Sequence, residues 1–128
     1  MSYYFTKELN VSFDDAIAKV TEELKKEGFG ILTDIDVKAT LKKKMDVEFR
    51  PYRILGACNP PFAFQALQAE DKIGTMLPCN VVVQENAPGK VEITAIDPVA
   101  SMAAVNNPRL TTVGEEVRAK LKKVIDNL

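Results

Sequence analysis

CNVVVQENAPGKVEITAI (79–96) decides the fold. Two apolar, β-branched runs, 79–85 and 90–96, flank Asn86-Ala87-Pro88-Gly89. Such runs around a short Pro/Gly stretch read as a hairpin with a four-residue loop. A hairpin pairs its strands antiparallel, so a purely parallel sheet is excluded. Just upstream, YRILGAC (52–58) reads as a buried strand. Asn59-Pro60 follows as an N-cap with proline at the first helical position. A helix is expected over 60–73, with Phe62, Ala66, Ala69 and Ile73 on one side and Gly74 ending it.

Residues 3–9 begin as a strand. Ser12 is an N-cap, with Asp14 and Asp15 in the first turn where the helix dipole favours acids. Phe13, Ile17, Val20 and Leu24 share one helical face, and Gly28 is the stop. FGILTDIDV (29–37) reads as a strand with Phe29, Ile31, Ile35 and Val37 on one face. The spacing of Val37, Leu41 and Met45 predicts a short helix over 37–45, ending in the solvated Lys42-Lys43-Lys44 run.

Downstream of the hairpin, Asp97-Pro98 closes the strand and opens a helical turn through 98–105, which Asn106-Asn107-Pro108 breaks. The last helix is expected to start at Thr112, with Glu115 completing a capping box. Its stripe of Val113, Val117, Leu121, Val124, Ile125 and Leu128 must dock on a sheet or a partner chain. The order is β-α-β-(α)-β-α-β-β-α. It predicts one α+β domain over 1–128, a two-layer sandwich with a mainly antiparallel sheet and helices on one face.

With 46% apolar and 27% charged residues, the 128-residue chain has ordinary globular composition. Seventeen Lys+Arg against eighteen Asp+Glu leave no basic excess, so no nucleic-acid partner is expected. No run approaches the roughly 20 apolar residues that cross a bilayer, and MSYYFTKELN lacks a signal-peptide pattern. A cytoplasmic location with reduced Cys58 and Cys79 follows as the expectation. The chain has no histidine, which excludes Ser-His-Asp and Cys-His catalysis and a His-type zinc site within one chain. No GxGxxG or Walker pattern is present, and no cofactor is identified.

Two tripeptides echo each other: Ala57-Cys58-Asn59 ends one strand, and Pro78-Cys79-Asn80 opens another. Cys58 precedes a helix start, where the dipole favours thiolate. A thiol site would serve redox exchange, sulfur transfer or soft-metal binding through Cys58 and Cys79. Alternatively, both cysteines are small buried hydrophobes. Asn59 and Asn80 are a helix cap and a strand terminator, or two amides holding a polar ligand. Arg53 faces solvent, pairs with a carboxylate or grips an anionic ligand bidentately. Asp97 reads as a cap or turn residue.

YRILGACNP (52–60), then Ala63, Ala66 and Leu67, then IGTMLPCNVVV (73–83) and Asp97-Pro98, together resemble the DUF302 family along essentially the whole chain. The resemblance implies a TATA-binding-protein-like two-layer topology and a homodimer. It implies no established enzymatic activity, and it carries over Cys58, Asn59, Pro60, Pro78, Cys79 and Asn80 as motif residues without settling their role. The functional expectation is a small binding domain with a pocket for a small molecule or soft metal at Cys58, Asn59, Cys79, Asn80 and Arg53. A thiol-based enzyme and a purely structural or interaction domain are the rivals.

Overall fold

The computed structural model describes residues 2–128. In chain order the strands are β1 (Tyr4–Leu9), β2 (Gly30–Asp36), β3 (Tyr52–Cys58), β4 (Cys79–Ala87) and β5 (Lys90–Ile96). The helices are α1 (Phe13–Lys26), α2 (Val37–Met45), α3 (Pro60–Ala69), α4 (Pro98–Ser101) and α5 (Pro108–Asp126), with 3-10 turns at Ile73–Met76 and Ala103–Val105. All strand pairings are antiparallel, in the order β1-β5-β4-β3-β2. This is the expected α+β two-layer arrangement.

Strand alternation builds the core. Leu55, Ala57, Val81, Val83, Val91, Ile93 and Ala95 line one face of the sheet and are buried. Ala16, Val20 and Leu24 from α1 and Val117, Leu121 and Val124 from α5 pack in the same cluster. The α1 start matches its signal, because Ser12 Oγ accepts from the Asp15 amide at 3.1 Å. Helix α2 forms where expected but buries no residue.

Three boundaries and the face of one strand differ from the sequence reading. The hairpin strands run further, with Ala87 opposite Lys90, so the loop is only Pro88-Gly89. Proline fixes φ near −65°, and Gly89 sits at φ 77°, a combination suited to a type II turn. A register shift between Glu85 and Ala87 absorbs Asn86.

In β2 the expected single apolar face is broken. Ile31 lies opposite Ala57 and Thr33 opposite Gly56, so Leu32 is bulged out. The extra residue flips the phase, leaving Leu32 69% and Ile35 49% exposed. Helix α3 stops at Ala69, with Glu70 in an extended conformation, and Ile73 reaches the core from its own 3-10 turn. Helix α5 begins at Pro108, four residues before Thr112, with Asn107 Oδ1 capping the Arg109 amide. Asn107-Pro108 is a start signal of the same kind as Asn59-Pro60, and the capping-box pattern at Thr112 falls inside the helix.

Candidate functional site

Strands β3 and β4 place the two cysteine segments side by side. Ala57 is opposite Cys79, and Gly56 is opposite Asn80. Side chains alternate across a strand, so Ala57 and Cys79 face the helices while Gly56 and Asn80 face the other way. A Cβ on Gly56 would run into Thr33 Oγ1 and the Pro78 ring. Only glycine lets the turn before β4 lie this close to β3. The Leu77–Pro78 peptide bond is cis.

Asn59 occupies the N-cap position of α3, yet its side chain makes no bond to that helix. An N-cap oxygen accepts from the N2 or N3 amide, and with Pro60 and Pro61 as the first two helical residues only the Phe62 amide could serve; Asn59 does not use it. The side chain turns instead to the end of α1, where Asn59 Nδ2 donates to the Glu27 carbonyl at 3.0 Å. Beside it Gly28 turns the chain at φ 88°, where a Cβ would stand 3.1 Å from Asn59 Nδ2. Asn107 repeats the arrangement at the start of α5, donating from Nδ2 to the Ala69 carbonyl at 2.9 Å.

Between the β3–β4 ends, α3 and α5 lies a cleft of about 340 Å³. Ala57 and Cys79 form its floor. Phe62 and Ala66 of α3 and Val113 and Val117 of α5 form its walls, and Leu32 and Leu67 stand at its rim. No charged side chain lines it, and Asn59 supplies its one amide. With Nδ2 committed to Glu27, Asn59 Oδ1 accepts no hydrogen bond from a described residue. Cys58, half-buried at the end of β3, also lines the cleft, and both cysteines are free thiols. Burial pushes the Cys79 thiol up to about 11, and neighbouring Cys58 adds to the rise. Cys79 is therefore protonated at neutral pH.

The structure thus brings Cys58, Asn59 and Cys79 together. Asn80 is exposed on the opposite face of the sheet. Arg53 lies five residues back along β3, roughly 17 Å from Cys58 at strand spacing. Its Nε and Nη2 grip Asp34 Oδ1 and Oδ2 at 2.7 and 2.5 Å. The Arg53 hydrogen bond holds the Asp34 carboxyl below the usual carboxylate range. Asp97 caps α4 by accepting from the Val99 and Ala100 amides, and its other oxygen takes Arg118 Nε at 3.0 Å. Sequence reasoning missed Met102, Gly114 and Val117 as cleft residues. A helix-interior glycine at 114 was the available signal. Among the described residues no group of three or more His, Cys, Asp or Glu is arranged to hold a metal ion. No helix among them is long and apolar enough to cross a membrane.

Fold and site together define a two-layer α+β protein with an apolar cleft at one end of its sheet. The chain belongs to the family described as domain of unknown function DUF302, whose family model matches residues 5–128. It is similar to a solved structure of an uncharacterized conserved DUF302 protein from Bacillus stearothermophilus. That likeness has 30% identity, 98% coverage of each chain and a TM-score of 0.89. Comparison with curated proteins yields no match.

Proposed function

We propose that this protein is a small binding domain whose cleft takes a small, uncharged, largely apolar molecule. One observation carries the reading: a cleft of about 340 Å³ has a lining without a charged side chain and with one amide oxygen left to accept. That size and polarity fit a small-molecule site. An ionic ligand would lose its hydration here without a counter-charge. The protonated Cys79 thiol favours a hydrophobic role for that residue over nucleophilic chemistry. A cytoplasmic homodimer belongs to the same reading. Ile35, Ile54 and Val82, aligned across the uncovered face of the sheet, favour a second copy as the partner.

The test is titration with 1-N-phenylnaphthylamine, whose fluorescence rises in apolar surroundings. The chain has no tryptophan to interfere. Saturable binding at one probe per chain is expected. Ala63→Phe, at a half-buried cleft position on α3, should weaken binding at least tenfold while the fold is retained. No saturable binding, or equal affinity in Ala63→Phe, refutes the proposal.

A further inference from the structure

A second cavity, of about 300 Å³, lies beside the first. The two share three wall residues, Pro98, Met102 and Gly114. Their linings differ. The first is apolar apart from Asn59 and the thiols, whereas the second carries Asn106, Asn107 and Thr111. Neither contains a charged side chain.

At this shared boundary Gly114 contributes no side chain. Gly114 is buried inside α5, where glycine costs about 1 kcal/mol relative to alanine. Sterics do not demand glycine there, because an added Cβ would meet nothing closer than Val99 Cγ2 at 3.8 Å. A longer side chain at 114 would project into the space between the cavities. Met102, half-buried, is unbranched and can turn aside without strain.

Resting on the cleft reading above, we infer that the ligand is elongated: a linear, uncharged amphiphile with its chain in the first cavity and a neutral head group in the second. Asn107 has both side-chain ends engaged, with Oδ1 accepting from Arg109 and Nδ2 donating to Ala69. The head group is therefore met by Asn106 and Thr111, both exposed. A carboxylate or ammonium head would find no opposite charge in either lining. The nearest buried carboxylate, Asp97, is already held by Arg118 and the α4 amides. The class is that of a medium-chain alcohol or amide.

The experiment displaces 1-N-phenylnaphthylamine with n-hexanol, n-decanol and decanoate at pH 8. Each buried methylene contributes about 0.8 kcal/mol, close to fourfold in affinity. Decanol should therefore bind at least tenfold tighter than hexanol, and decanoate at least tenfold weaker than decanol. Gly114→Leu should leave hexanol within twofold and weaken decanol at least tenfold, and Gly114→Ala should change neither. Thr111→Val, at an exposed position, should weaken decanol severalfold and provides a check that does not disturb the helix interface. If hexanol binds as well as decanol, if decanoate matches decanol, or if Gly114→Leu weakens both alcohols equally, the elongated ligand is wrong and the cleft reading stands. If neither the dye nor any alcohol binds, the cleft reading falls as well.

Discussion

Replacing Asn59 by alanine isolates the link between the end of α1 and the start of α3. The substitution removes the donor to the Glu27 carbonyl, which lies 3.0 Å away, from a residue that is only 8% exposed. A hydrogen bond whose loss strands a buried partner costs about 1–3 kcal/mol. Because α3's own amides do not use this side chain, the helix cap itself is untouched, and the expected loss is about 2 kcal/mol. Asn59→Asp keeps the shape but sets an acceptor against the Glu27 carbonyl at the negative end of the α1 dipole. At pH 7 it should be worse than alanine. The fold would raise the introduced carboxyl's pKa. The deficit relative to Asn59→Ala should therefore be full above that raised value and shrink as pH falls through it towards about 4.

Gly28 supplies the cross-check. Gly28→Ala is strained at φ 88° in either background, but its contact with Asn59 Nδ2 exists only when Asn59 is present. The double variant should therefore be less destabilised than the sum of the singles. Urea denaturation followed by circular dichroism, with unchanged m-values, measures the unsubstituted protein and the four variants. A loss below about 0.5 kcal/mol for Asn59→Ala, or an aspartate variant as stable as alanine at pH 7, refutes the reasoning.

Two further outcomes follow from the same geometry. Gly56→Ala should destabilise by about 1–3 kcal/mol, as overpacking does. Adding Thr33→Ala should restore only part of that loss in thermal melts, because the Pro78 ring still blocks the Cβ. Cys79 titrates near 8.5 when unfolded and about 11 when folded, so the unfolded chain loses its proton first and stability falls as pH rises between those values. The fall attributable to Cys79 is about 3 kcal/mol. Cys79→Ala should show a correspondingly flatter alkaline limb, and parallel limbs would contradict the burial of this thiol.

The sheet and its helices were legible because they depend on periodicity and punctuation. The hairpin at 79–96, the Ser12 cap and the Asn59-Pro60 start are all signals carried by adjacent residues. What was not legible depends on contacts between distant segments. The bulge at Leu32 turns Ile35 outward, and that phase change is set by pairing with β3. The Asn107-Pro108 start reads as a breaker in the sequence because the later capping-box pattern at Thr112 competes with it. At the site, the approach of Cys58 to Cys79 was readable from two similar tripeptides at strand ends. Asn59 reaching back to Glu27 was not, because the acceptor of its Nδ2 lies 32 residues away. The exclusion of Asn80 follows from its register opposite Gly56, which sequence alone does not supply.

The paired use of Asn59 and Asn107 bears on how the helical layer comes apart. Helix ends usually fray independently, since their last carbonyls answer only to water. Here the Glu27 carbonyl capping α1 and the last carbonyl of α3, Ala69, are each held by the asparagine that starts a later helix, α3 and α5 respectively. Fraying at one helix's tail therefore loosens the head of its successor. Amide exchange along this side of the protein should proceed in coupled steps from α1 through α3 to α5. The cleft wall then has the stability of a fastened series, set by its weakest clasp.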